Sequence, residues 1–207
     1  MQSLSQKRIT SNIIKGSLGN MIEWFDWYIY ASFAIYFANS FFPDGDQTVE
    51  LLSTAAVFAV GFLMRPFGSF IMGKYADQHG RRSALTLSVS IMAGGSLLIA
   101  LIPTYGMVGI FSPILLILIR LVQGLSLGGE YGISATYLSE MATANRRGYY
   151  ASFQYVTLIS GQLLALVVQI VLQLVFTDAQ LRAFGWRIPF AIGAVGALIV
   201  LYLRLSM

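Results

Sequence analysis

The chain has 207 residues, of which 57% are hydrophobic and only 11% charged, with a formal net charge of +4. Soluble domains carry about 25% charged residues, so a water-soluble protein of this size could not hide so much apolar surface. This composition excludes a soluble enzyme, a nucleic-acid-binding protein and a secreted disulfide scaffold, and it indicates a protein that crosses a membrane several times. The absence of cysteine also excludes thiolate metal sites.

Six apolar segments follow one another, separated by short connections that contain glycine, proline or charged residues. Because lipid offers the backbone no hydrogen bonds, each segment must be a helix or a strand of a closed barrel. Barrel strands need only about 9–11 residues, so runs of this length favour helices. The sequence predicts an all-α membrane protein with one transmembrane domain over residues 1–207. Its six helices are expected at about 17–42, 51–73, 83–103, 111–140, 148–176 and 188–205.

Lysine and arginine concentrate on one side of this predicted bundle. The opposite side holds only Arg182 and Arg187. Since cytoplasmic loops are enriched in these residues, we expect both termini to be cytoplasmic, with the polar arm 1–16 retained. The basic residues on the cytoplasmic side are Lys7, Arg8, Lys15, Lys74, Arg81, Arg82, Arg146, Arg147 and Arg204.

Five ionisable residues fall inside the predicted spans, namely Glu23, Asp26, Arg65, Arg120 and Glu130. Each costs about 2.5–3.5 kcal/mol at a helix centre, so such residues must face the bundle interior, pair, or line a watery path. Two bases can pair with at most two of the three acids. The acid left over is expected to hold a proton, because burial disfavours its charged form. Alternatively, all five belong to ion pairs that hold the helices together or close a gate.

Helical spacing adds polar neighbours to these charges. On the first helix Tyr30 shares a face with the two acids, and on the fourth helix Gln123 lies on the stripe of Arg120 and Glu130. On the fifth helix, which is uncharged, Gln162 belongs to a polar stripe with Tyr155, Gln169 and Gln173. The sequence therefore predicts a polar inner face built from several helices.

The second connection combines glycine with charge. Gly73 and Gly80 permit a tight reversal, and Asp77 complements the N-terminus of the third helix. With Arg81 and Arg82 the segment predicts a cytoplasmic gate, although it also fits a simple positive-inside anchor.

No protease, hydrolase or nucleotide-binding motif occurs, and the single histidine, His79, lacks neighbours that would form a metal site. The segment 124–128 has the spacing of a serine-hydrolase motif but lies within a predicted helix. We therefore expect neither enzymatic activity nor a cofactor or metal.

Five segments in order resemble a known family. The pattern Gly73-x-x-x-Asp77-x-x-Gly80-Arg81-Arg82 is similar to the signature between the second and third helices of the major facilitator superfamily. Residues 19–28, 62–68, 120–131 and 185–190 resemble its metabolite:proton symporter branch. Gln78 departs from the signature, which usually has a basic residue there, and this weakens the expected gate contact.

The resemblance implies a fold of twelve helices in two halves around a central cavity, of which this chain matches the N-terminal half. It implies proton-coupled uptake of a small dicarboxylate, most similar to that of α-ketoglutarate transporters, across a bacterial inner membrane, with a complementary six-helix half as partner. It implies substrate contacts for Arg65, Arg120, Gln123, Tyr30 and Gln162, and proton coupling or charge pairing for Glu23, Asp26 and Glu130. The alternatives are a symporter for citrate, shikimate, proline or betaine, a half-transporter that dimerises, and a truncated half without transport.

Overall fold

The computed structural model describes residues 6–43, 45–141 and 147–205, which form helices joined by short turns, with no β-strand among them. A π-helical turn at Leu181–Gly185 precedes the last helix. The helices are α1 (Gln6–Phe41), α2 (Gln47–Leu63), α3 (Arg65–His79), α4 (Arg81–Leu101), α5 (Tyr105–Val108), α6 (Phe111–Met141), α7 (Arg147–Ala151), α8 (Phe153–Val175), α9 (Asp178–Gln180) and α10 (Arg187–Leu205).

Within the described residues, five helical segments are long and apolar enough to cross a membrane: Gln47–His79, Arg81–Leu101, Phe111–Glu130, Gly148–Val175 and Arg187–Leu205. The sixth long helix, α1, is less apolar because it carries acids, tyrosines and tryptophans. It packs against α2, α6, α8 and α10, so its polar side chains are shielded by the rest of the bundle. The prediction of an all-α membrane protein is confirmed.

The span expected at 51–73 lies within one apolar segment, Gln47–His79, which is interrupted at Met64 between α2 and α3. Proline lacks a backbone N–H, so Pro66 cannot donate a hydrogen bond that would continue α2. The helix α2 therefore ends at Leu63, and α3 begins after Met64. The second half then runs to His79, well past Gly73. The reversal into α4 needs Gly80 alone, which adopts a positive φ of 86°.

Other boundaries differ from the predictions at the helix ends. The helix α1 begins at Gln6, so most of the predicted polar arm is helical. The fifth span divides into α7 and α8 at Ser152. Of the predicted fourth connection, 144–147, residues 144–146 lie outside the described part of the chain, as does the predicted topology residue Arg146.

Glycines bring the second span and α6 into backbone contact. A Cβ on Gly124 would collide with the carbonyl of Gly61, and one on Gly128 with the carbonyl of Arg65. Ser69 Oγ adds a hydrogen bond of 2.8 Å to the Gly128 carbonyl. These two glycines form the G-x-x-x-G step of α6, which here allows close helix packing.

Arginines tie the antiparallel neighbours α4 and α10 together at both ends. At the start of α10, Arg187 donates to the Ala100 carbonyl at the end of α4 (2.7 Å). At the start of α4, Arg82 donates to the Leu205 carbonyl at the end of α10 (2.9 Å). A cation is favourable beside a helix C-terminus, so each arginine caps the partner helix. Arg82 therefore has a structural contact, beside which its predicted gate role stays a prediction.

Candidate functional site

The five charges predicted inside the spans form two clusters around α1, together with Arg65, for which no ion pair occurs among the described residues. The first cluster joins α1 to α6. Arg120 Nη1 lies 2.8 Å from Asp26 Oδ2, and both side chains are at most 1% exposed. Ser96 of α4 donates to the other carboxylate oxygen at 2.5 Å. Asp26 thus accepts from two helices, which fixes α1 against α4 and α6.

Tyr30 belongs to the same cluster. The Arg120 guanidinium lies 4.0 Å from the centre of the Tyr30 ring, a cation–π contact. The Tyr30 hydroxyl donates to the Thr54 carbonyl of α2 at 3.0 Å. Two guanidinium nitrogens of Arg120, Nε and Nη2, are buried without a hydrogen-bond partner among the described residues. The structure therefore brings Asp26 and Tyr30, which the spacing along α1 places on one face, together with Arg120 of α6.

The second cluster includes Arg204, which the sequence does not predict to lie inside the bundle. Arg204 of α10 contacts Glu130 of α6, with Nη2 2.6 Å from Oε1. It also donates to the Leu85 carbonyl of α4. The sequence suggests a terminal charge that sets topology, whereas the structure buries this side chain to 1% exposure. Arg204 therefore forms an interior ion pair that its position near the end of α10 does not indicate, while its place on the cytoplasmic side stays a prediction.

Glu23 lies beside this ion pair without joining it. Its Oε1 accepts from Ser88 Oγ at 3.0 Å, while Oε2 has no hydrogen-bond partner in the described part of the chain. It interacts electrostatically with Glu130, Arg204 and Arg65. Among the described residues, Glu23 is therefore a fully buried acid without an ion pair.

Arg65 lines a cavity of about 500 Å³ between the second span, α1, α6 and α8. Its guanidinium lies 3.6 Å from the ring centre of Phe62, with Trp27 and Trp24 at 5.1 and 5.2 Å. Its Nε and Nη2 have no hydrogen-bond partner among the described residues. The cavity lining comprises Trp24, Arg65, Pro66, Ser69, Leu127, Gly128 and Leu158.

The remaining predicted substrate residues lie apart from one another. Gln162 is half-buried on α8, one turn beyond the cavity-lining Leu158. Gln123 is fully buried but lies against Gly95 of α4, where it lines a separate, mostly apolar groove of about 300 Å³. The structure therefore does not place Gln123 in the cavity of Arg65.

A polar contact between α1 and α8 was missed. The amide of Asn20 donates to Thr157 Oγ1 and to the Gln154 carbonyl, both at 2.9 Å. The Asn20 oxygen accepts from Trp24 Nε1 at 3.1 Å. This holds Trp24 at the cavity wall. Asn20 is three residues before Glu23, so the same helical spacing that selects the acids was available to find it.

The predicted gate residues lie at the other end of α3. Asp77 and Arg81 line a smaller cavity of about 230 Å³ with Gly129 and Gly132 of α6. His79 is exposed, and its ring stacks on that of Tyr75 at 4.3 Å. Asp77 and Arg81 are thus together, as the loop pattern predicts.

Comparison with known proteins identifies relatives of this arrangement. The model of the family described as sugar (and other) transporter matches residues 13–207. The chain is 58% identical to the alpha-ketoglutarate permease of Escherichia coli (strain K12) over 192 residues, 93% of this chain and 44% of that protein. It is 39% identical to the citrate-proton symporter of Klebsiella pneumoniae over 93% of this chain and 43% of that protein.

A solved structure shares the fold. The proton:xylose symporter XylE, a major facilitator superfamily protein, superposes with a TM-score of 0.86 over 99% of this chain and 46% of that one. At 20% sequence identity this likeness concerns the fold alone. The chain spans about half the length of each relative it matches.

Proposed function

The chain belongs to the sugar (and other) transporter family of the major facilitator superfamily, and we propose that it forms the N-terminal half of a proton-coupled symporter for a small dicarboxylate. Its helices make it a multi-pass membrane protein. The bacterial inner membrane as its location, with both termini cytoplasmic, is part of the proposal. The similarity to a permease and to a citrate-proton symporter supports the organic-acid substrate and the proton.

One observation supports the substrate class most directly: the half-buried Arg65 lines a cavity, and two of its guanidinium nitrogens are buried without a hydrogen-bond partner among the described residues. Arg65 has two such nitrogens at a cavity of about 500 Å³, a volume typical of small-molecule sites. A guanidinium binds a carboxylate through two parallel hydrogen bonds. A bound carboxylate would therefore satisfy donors that the described side chains leave unsatisfied.

α-Ketoglutarate is the substrate we propose, because a permease named for it is 58% identical to this chain. One carboxylate would bind Arg65, and Gln162, one turn beyond the cavity-lining Leu158, would contact the substrate from α8. Arg120 and Tyr30 do not line this cavity, and we propose that they contact the substrate in another state of the transport cycle. The second carboxylate would need donors from the complementary six-helix half, on the same or another polypeptide.

Glu23 is the residue we propose to carry the coupled proton. It has no ion pair among the described residues, whereas Asp26 and Glu130 each have an arginine. Two adjacent carboxylates cannot both be charged without repulsion, and Glu23 adjoins Glu130. Asp77, Arg81 and Arg82 would gate the cytoplasmic end.

Reconstitution tests this function. The chain and its complementary half would be placed in liposomes, and uptake of labelled α-ketoglutarate measured with and without an inward proton gradient. We expect uptake that requires both the gradient and the second half. Uptake without the gradient, or no uptake in the complete assembly, would contradict the proposal.

A second candidate, citrate, is supported by the 39% identical citrate-proton symporter. Competition with unlabelled citrate, shikimate, proline and betaine would separate the possibilities. α-Ketoglutarate should compete at the lowest concentration. Stronger competition by another compound would replace the substrate assignment and leave the proton-coupled transport in place.

A further inference from the structure

Arg204 does not line the proposed substrate cavity, yet it pairs with Glu130, the carboxyl group beside Glu23. We propose that Arg204 is a positioning residue for this pair: it holds Glu130 in an ion pair and so leaves Glu23 as the acid that takes the coupled proton. The inference rests on the proposed function, since it assumes that the proton is coupled to transport.

The ion pair between Arg204 and Glu130 joins two guanidinium nitrogens to the two carboxylate oxygens. Arg204 Nη2 lies 2.6 Å from Glu130 Oε1, and Nη1 lies 3.5 Å from Oε2. The same guanidinium donates to the Leu85 carbonyl. A guanidinium that contacts both oxygens of a carboxylate stabilises its charged form. Glu130 is therefore the acid of this cluster that has an ion pair, and Glu23 is the acid that does not among the described residues.

Space for the guanidinium is provided by α1. A Cβ at Gly19 would meet Arg204 Nη2 and Cζ and would come within 2.8 Å of Glu130 Oε1. Glycine at this position therefore allows α1 to approach the ion pair closely. One turn later on the same helix, Glu23 is brought to the edge of the pair.

Three charged groups lie around Glu23. Glu130 faces it from α6, Arg204 from α10 and Arg65 from α3. The helix α4 contributes only the hydroxyl of Ser88, which donates to Oε1. Because Arg204 is bound to Glu130, a proton taken from water would reside on Glu23 Oε2, the oxygen without a hydrogen-bond partner among the described residues.

Infrared spectroscopy of the full chain in lipid nanodiscs tests this assignment without requiring transport. The carbonyl band of a protonated carboxyl group would be followed across pH. We expect the band to disappear in Glu23→Gln and to remain in Glu130→Gln. In Arg204→Gln its midpoint should move to higher pH by about one to three units, because an opposite charge has been removed. Arg204→Lys, which keeps the charge, should restore most of the original midpoint.

Arg187→Gln is the matched control, because it also removes an arginine contact between α4 and α10 but touches no carboxyl group. It should lower thermal stability without moving the midpoint. If Arg204→Gln does not fold, the variant with both Glu130→Gln and Arg204→Gln replaces it and should keep the band on Glu23. A band that survives Glu23→Gln, or equal midpoints in Arg204→Gln and the unchanged chain, would overturn the inference. If the complete transporter without substitutions shows no proton-coupled uptake, that result would instead contradict the proposed function.

Discussion

The ion pair between Asp26 and Arg120 offers the sharpest test of how the bundle is held together. Asp26→Asn would keep the shape of the side chain and the contact with Ser96 but leave the Arg120 guanidinium charged and unpaired. Both residues are at most 1% exposed, so water cannot replace the lost partner. Breaking a buried pair in this way costs about 3–5 kcal/mol. This is a large part of the about 5–15 kcal/mol that stabilises a typical domain.

The assay is equilibrium unfolding of the chain in mixed micelles, with the free energy of unfolding compared between variants. The control Asp178→Asn changes an exposed acid at the start of α9 and should alter stability by about 0.5 kcal/mol or less. A variant that replaces both partners, Asp26→Leu with Arg120→Met, should recover most of the loss, since no unpaired charge remains.

The outcome that refutes this reasoning is specific. If Asp26→Asn unfolds at the same free energy as the unchanged chain, the pair does not hold α1 against α6. If the double variant is no more stable than Asp26→Asn alone, the loss does not come from the unpaired guanidinium.

Three further predictions concern packing, capping and binding. In the same unfolding assay, Gly128→Ala should destabilise the chain by about 1–3 kcal/mol, because the added Cβ would collide with the Arg65 carbonyl. The control Gly94→Ala lies at an open position and should be neutral or slightly stabilising. Arg187→Gln should lower the unfolding free energy by about 1 kcal/mol through loss of the cap on α4. Arg65→Lys should weaken α-ketoglutarate binding, measured by calorimetry on the complete transporter, by about tenfold, since one charge-assisted hydrogen bond is lost.

For each of these three predictions, one outcome would contradict the physical reason given for it. Equal stability of the two glycine variants would mean that the helices do not meet at Gly128. An unchanged unfolding free energy in Arg187→Gln would mean that its bond to Ala100 contributes nothing. Full affinity in Arg65→Lys would show that the guanidinium fork is not what binds the carboxylate.

Apolar run length and helical spacing are sufficient to predict much of this fold. The long uncharged runs identify the spans because lipid accepts little else, and the i, i+3, i+7 spacing places Asp26 and Tyr30 on one face. The interruption at Met64 could also have been predicted, because proline at position 66 removes a backbone hydrogen bond from any helix that contains it. The end of α3 at His79 could not have been predicted, because residues 74–79 are polar enough for a loop and yet form a helix.

Partners across the bundle are what the sequence alone cannot supply. Glu130 and Arg204 are 74 positions apart, and nothing local indicates that the end of α10 folds against α6. Likewise Gln123 shares a stripe with Arg120, yet the stripe is wide enough to face α4 as well as α1. Spacing along a helix identifies a face, but only the packing of neighbouring helices decides which cavity that face meets.

Proton movement during uptake tests the proposed symport most directly. In weakly buffered liposomes that contain the complete transporter, external pH and entry of labelled α-ketoglutarate would be recorded together. Among the described residues Glu23 has no ion pair, and Arg65 lines a cavity. We therefore expect the medium to become more alkaline as the substrate enters, and Glu23→Gln to abolish this change. Substrate entry without alkalinisation, or alkalinisation that survives Glu23→Gln, would contradict it.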